Sequence, residues 1–368
     1  MRNGPEMDAL RARLAEQMDE LIASGREEGM QLSVYQDGYQ IIDITRGTRD
    51  DAGTPLSPDD LVLVWSTSKG VTAAAIHLLA EQDKLEYDDP ICRYWPQFAR
   101  NGKEGITIRH ILSHTAGIPD LPADITPDTM ANWQAMMELF VEMTPVSVPG
   151  KVAAYHGLTY GWPLGEIVRR IDGRSFPRFV QDEICTPLGI KGLFFGVPAE
   201  HAARKARLSH DIVIGPADVP LADDPTQLAN NPLIQTACIP AANMMASARS
   251  IARFYASLVG TGVNGHRLLP QRRVTNMTTV QRWAMDQTLV GRDMGFGLGY
   301  ILGSSVPTMS SRQSCFGHDG YGGAIGYADP EHNLAVGFTK TRMTLNPANP
   351  STSLELMQTI RTALQIPE

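Results

Sequence analysis

Several common features are missing from this chain of 368 residues. Cysteine is scarce: Cys92, Cys185, Cys238 and Cys315 lie far apart, with no C-x-x-C and no Cys/His cluster. That spacing points neither to a disulfide framework nor to a zinc site, and free buried thiols are expected. A basic surplus is also missing. Lys and Arg total 32 against 40 Asp and Glu, a net charge of −8 and a pI near 5.6. No basic patch dominates, so neither a nucleic acid nor an anionic membrane is an expected partner. No apolar run approaches the ~18 residues of a membrane span. The first stretch, MRNGPEMDALRARLAEQMDELIASG, is interrupted by charge every few residues. It has no apolar h-region, so no secretory signal is expected and the expected location is the cytoplasm. His110 and His114 are four apart but lack the glutamate of H-E-x-x-H, and no third ligand is evident. No metal and no cofactor are expected.

What is present is the composition of a folded globular chain, 43% hydrophobic and 20% charged. Leu10, Leu14, Met18, Leu21 and Ile22 predict a helix over 8–23. Two β-rich runs, 32–35 and 39–45, flank Asp37-Gly38, a hairpin signal. A short apolar run over 61–65 precedes a helix opened by Ser66 and reaching about Gln82. Helical periodicity then dominates 107–188, with helices predicted over 108–113, 130–143, 160–171 and 176–184. The proline-rich 189–240 reads as long loops. Helical pattern returns at 246–258, β pattern at 296–302, 322–328 and 334–341, and a last helix spans 351–364. Strands at both ends and helices between predict an α+β fold, an antiparallel sheet flanked by terminal helices with an inserted, mainly helical domain. The expected division is 1–84 with 245–368 for the sheet, and 85–244 for the insertion.

Three stretches could carry chemistry. In "WSTSKG", Ser66 and Lys69 are three apart, so on a helix they share a face. A serine hydroxyl needs a base to take its proton, and a lysine becomes one only when its pKa is lowered. The positive end of a helix and burial both act that way. An ordinary helix cap by Ser66 or Ser68 would leave the same pattern. In "VPGKVAAYHG", Tyr155 follows a Pro-Gly turn and could shuttle a proton, or be a plain core aromatic. In "CFGHDGYGG", His318-Asp319-Gly320 ends an apolar run. An N–H near Gly320 or Tyr321, with that of Ser66, could form an oxyanion hole. Gly157-Leu158-Thr159-Tyr160-Gly161 imitates the G-x-S-x-G elbow, but no strand precedes it.

Taken in order, S-x-x-K, a tyrosine after Pro-Gly and a late His-x-Gly resemble the serine β-lactamase-like superfamily. The likeness is greatest to its class C and family VIII carboxylesterase branch. It extends over 32–364 and includes "LEYDDPICRYWP", "ITIRHILSHTAGIP" and "SARSIARFYASL". The resemblance implies a β-lactamase/transpeptidase-like fold with its site between the sheet and the helical domain. It implies Ser66 as acylated nucleophile, Lys69 as its base or base partner, Tyr155 as proton shuttle, and His318 and Gly320 where β-lactamases carry K-T-G. The tyrosine motif departs from Y-x-N, reading Tyr155-His156-Gly157, and His318 replaces a fixed cation. Both departures favour a neutral ester over a charged β-lactam, and the expected activity is that of a serine carboxylesterase acting on small, short-acyl esters. Acyl transfer to an alcohol or amine, weak β-lactamase or D-aminopeptidase activity, and a non-catalytic ligand sensor remain the alternatives. Oligomeric state is left open.

Overall fold

The computed structural model describes residues 4–211, 224–285, 293–344 and 351–367. Its centre is an eight-stranded antiparallel sheet in the order β2-β1-β12-β11-β10-β9-β8-β7. The strands are β1 (Gly29–Gln36), β2 (Tyr39–Gly47), β7 (Arg282–Met285), β8 (Asp293–Phe296), β9 (Ile301–Leu302), β10 (Phe316–Asp319), β11 (Ile325–Asp329) and β12 (Leu334–Lys340). Both ends of the chain therefore meet where β1 pairs with β12, from Met30↔Lys340 to Gln36↔Leu334. The β1–β2 hairpin turns on Asp37 and Gly38, both at positive φ (50° and 80°), as a primed turn demands.

Strand alternation builds two apolar layers. On one face Leu32, Val34, Leu334, Val336 and Phe338 pack with Leu10, Leu14 and Met18 of the helix Pro5–Ala23 and with Leu356 and Ile360 of the helix Thr352–Ala363. These helices bury the stripe that their i, i+4 spacing creates. On the other face lies the helix Ala248–Ala256. It comes close because β11 and β12 offer glycine there: a Cβ on Gly337 would lie 2.3 Å from Ala248 O, and one on Gly326 2.5 Å from Ile251 Cγ2.

A second, three-stranded sheet is absent from the sequence reading. β3 (Val62–Leu63) and β4 (Leu193–Phe195) pair with β6 (Met244–Ala246) between them. β5 (Ser209–His210) pairs with the segment Arg342–Met343. The run 189–240 is thus not all loop: it holds β4, β5 and the short helices Pro225–Ala229 and Pro232–Thr236, while 212–223 lie outside the described residues. The helix expected over 130–143 is two helices, Pro127–Ala131 and Trp133–Glu142. They break at Asn132, whose side chain caps the second by accepting the Ala135 N–H. The run 296–302 turns at Gly299 (φ 85°) and supplies two strands. Cys185 and Cys315 are buried thiols, whereas Cys92 and Cys238 are partly exposed. Among the described residues no helix is long and apolar enough to cross a membrane.

Candidate active site

The β3 strand delivers the chain to the site. The Val64 N–H donates to Met244 O (3.0 Å), and a 3-10 turn, Trp65–Thr67, leads into the buried helix Ser68–Glu81. Ser66 therefore lies in the turn and is not the helix cap. Nor does Ser68 cap the helix: its hydroxyl donates to Trp65 O and accepts the Met244 N–H (3.1 Å). Trp65 has φ 47°, in the left-handed region that a bulky residue seldom adopts.

Lys69 is wholly buried, and its Nζ has three partners: Ser66 Oγ at 2.9 Å, Gly157 O at 2.7 Å and Ala241 O at 3.1 Å. Burial lowers its pKa to about 7, opposed only by the negative charge of Asp319. The neutral amine has two N–H bonds and one lone pair. Two fixed carbonyls take the two hydrogens, which leaves the lone pair for the Ser66 hydroxyl proton. The carbonyls are held by packing. A Cβ on Gly161 would lie 2.3 Å from Ala241 N, so glycine there lets the 240–241 backbone approach.

The ring of Tyr155 lies under the ammonium position, 4.9 Å from Lys69 Nζ to its centroid. Its hydroxyl is 3.4 Å from His318 Nε2. His318 Nδ1 faces Asp319 O at 2.7 Å, an acceptor only, so Nδ1 carries the hydrogen and Nε2 the lone pair. Burial and nearby Lys69 push the His318 pKa down to about 3, so the imidazole is neutral. On its other side Tyr155 stacks on His114, with ring centroids 4.7 Å apart. His114 Nδ1 accepts the His156 N–H (3.0 Å), which fixes the chain one residue beyond Tyr155. The sequence offered His114 only as a metal decoy or a structural residue; its place beneath Tyr155 carried no local signal. His110 caps its own helix through Thr107, and among the described residues no cluster could hold a metal.

Gly320 and Tyr321 border the turn Trp65–Thr67. A Cβ on Gly320 would lie 2.2 Å from Val64 O, and the Tyr321 ring meets Trp65 edge-on at 5.8 Å. The expectation of Gly320 as an oxyanion donor is corrected: its N–H donates to Ala324 O (2.7 Å) and closes the turn after β10. Gly320 instead supplies the clearance that lets β10 lie against the turn. The structure thus brings Ser66, Lys69, Tyr155, His318, Gly320 and Tyr321 to one place. The elbow-like Thr159 is buried and donates to Pro119 O, away from this group. His156 is turned into the core, between Ala154 O and the Ile118 N–H, and Gly157 has open space where a side chain would be.

Known proteins resemble this chain over most of its length. The chain is 31% identical over 340 residues to the Mycobacterium tuberculosis esterase/beta-lactamase LipL, covering 86% of this chain and 77% of that protein. A penicillin-binding protein homologue from Caulobacter crescentus superposes with a TM-score of 0.86 at 27% identity, covering 98% of both chains. A family VIII carboxylesterase structure superposes with a TM-score of 0.87 at 24% identity, again covering 98% of both, and there the likeness is one of fold. The beta-lactamase family model matches residues 11–358. With that match across nearly the whole chain, the protein belongs to the beta-lactamase family, as a serine hydrolase of the β-lactamase/transpeptidase-like fold.

Proposed function

We propose that this protein is a carboxylesterase that cleaves small, short-acyl esters through an acyl-enzyme on Ser66. The observation that carries the reading is the buried Lys69 amine, held by two carbonyls with its third valence toward Ser66 Oγ. Ser66 Oγ attacks the ester carbonyl carbon while its proton passes to Lys69 Nζ. The oxyanion lies against main-chain N–H groups, that of Ser66 among them. As the C–O bond breaks, Tyr155 gives its hydroxyl proton to the alkoxide and regains one from Lys69. The alcohol leaves neutral, and Lys69 is again a free amine. Water then attacks the acyl carbon, yields its proton to the same Lys69–Tyr155 pair, and the carboxylic acid departs as Ser66 is reprotonated.

Two features favour a neutral ester over a β-lactam. Neutral His318 offers no fixed cation to a carboxylate. At Gly157 no side chain is present to hold an amide. The esterase description of LipL supports the same substrate class, and its β-lactamase description supports a second, weaker activity, which nitrocefin turnover would measure. Replacing Ser66→Ala should lower hydrolysis of p-nitrophenyl butyrate by ~10³-fold or more. A fluorophosphonate should label Ser66 in the wild type. Retained hydrolysis in the alanine variant would sink the assignment.

A further inference from the structure

An apolar cavity lies directly behind the nucleophile turn. Trp65, Met130, Leu158, Leu228, Ile234 and Ile239 wall it. The one polar residue there, Asn243, is fully engaged: its Oδ1 accepts the Ile239 N–H, and its Nδ2 donates to Ile234 O and Ala237 O. No wall therefore offers a hydrogen bond to a guest. The cavity also adjoins the site along the chain at three points. Trp65 precedes Ser66, Leu158 follows Gly157, and lining Ala242 follows Ala241, so the backbone that holds the Lys69 amine is shared with the cavity wall.

We propose that this cavity receives the acyl chain of the ester, and that its floor, formed by the helices Pro225–Ala229 and Pro232–Thr236, sets the chain length; the inference rests on the esterase reading. In that reaction the alkoxide leaves past Tyr155, which faces His318 and β10. The acyl group, bonded to Ser66 Oγ through the second step, must point elsewhere. The apolar space on the Trp65–Leu158 side is where an alkyl group loses its contact with water. The volume is about 10 Å³, room for one water- or methyl-sized group. The acetyl methyl fits; a longer chain must displace Leu228 or Met130. A hydrophobic pocket discriminates by size in this way, one methylene at a time.

The test is a matrix of p-nitrophenyl acetate, butyrate and hexanoate against methyl, butyl and hexyl acetate, for the wild type, Leu228→Ala and Ala229→Val. Leu228→Ala should raise the hexanoate-to-acetate ratio of kcat/KM roughly tenfold, because each methylene newly buried is worth a factor of about four. Ala229→Val, which fills the floor, should lower the butyrate-to-acetate ratio by a similar factor. The alkyl acetate series should not respond. Unchanged acyl ratios in both variants, with circular dichroism showing them folded, overturn the acyl pocket and leave the esterase reading standing. A shift in the alkyl series instead also overturns it. A wild type that cleaves none of the six esters removes the esterase reading and this inference together.

Discussion

At the scale of single residues, the decisive quantity is the charge of Lys69. Its pKa near 7 means that the free amine forms across neutral pH. The rate on p-nitrophenyl butyrate should therefore rise as pH passes through about 7. His318 adds no limb in that range, because its pKa is pushed down to about 3. Asp319 is the one charge that raises the Lys69 pKa, so Asp319→Asn should move the limb to lower pH. An unmoved limb would mean that another group controls it. The same shift has a consequence for stability. Unfolded lysine holds its proton to about pH 10.4, and the folded protein loses it near 7. Between those values the unfolded chain binds more protons, so stability rises with pH. From pH 7 to 9 this single group contributes a rise of about 2–3 kcal/mol. Lys69→Met should lack that rise, and urea midpoints at the two pH values, compared with the wild type, will show it.

At the scale of elements, the place of Ser66 depends on how β10 meets the turn after β3. Val64 O, Trp65 at positive φ and Ser66 occupy a turn against which Gly320 lies with no room for a side chain. Gly320→Ala brings a Cβ to 2.2 Å from Val64 O, so the turn or β10 must retreat. A displacement of ~1 Å at a reacting group costs about 10²-fold in rate. The expectation is a loss of that order in kcat with KM little changed, and a folded protein by circular dichroism. Wild-type kcat would show that the contact does not position Ser66. The sequence reveals part of this arrangement. Ser66 and Lys69 are legible because three residues of helix bring side chains together, a local rule. Tyr155 and His318 are legible only as members of an ordered set of motifs, since neither residue alone differs from a core aromatic or a strand histidine. The carbonyls of Gly157 and Ala241 are invisible: main-chain groups leave no mark on residue identity, and it is they that aim the amine. His114 is hidden for a related reason, because stacking on Tyr155 requires a fold that brings the two segments together. The 3-10 turn is hidden because Ser66 and Ser68 both look like helix caps, and tertiary contacts to Met244 decide otherwise.

At the scale of the whole molecule, the site depends on a sheet closed by the two ends of the chain. Glu27, just before β1, and Lys340, at the end of β12, form a buried ion pair, and Thr352 at the start of the last helix donates to the same Glu27 oxygen. Burial raises the Glu27 pKa and lowers that of Lys340, and each charge is the other's main electrostatic partner. The pair also lies beneath the site: a Cβ on Gly323 would be 3.2 Å from Lys340 Cδ, in the turn that carries Gly320 and Tyr321. Removing one partner strands a charge away from water, whereas removing both strands no charge and leaves only the Thr344 and Thr352 hydroxyls to find other partners. Lys340→Met should therefore cost about 3–5 kcal/mol in urea unfolding. The double variant Glu27→Met with Lys340→Met should recover most of that loss, because neither charge is then left unpaired. Stabilities of the wild type, the two single variants and the double variant give the coupling directly. If the double variant is no more stable than Lys340→Met, the pair is not what joins the ends. The same four proteins then separate fold from chemistry. With the closure restored, the double variant should regain its rate on p-nitrophenyl butyrate together with stability, since Lys340 hydrogen-bonds to neither Ser66 nor Lys69 and bears on the site through the turn above it.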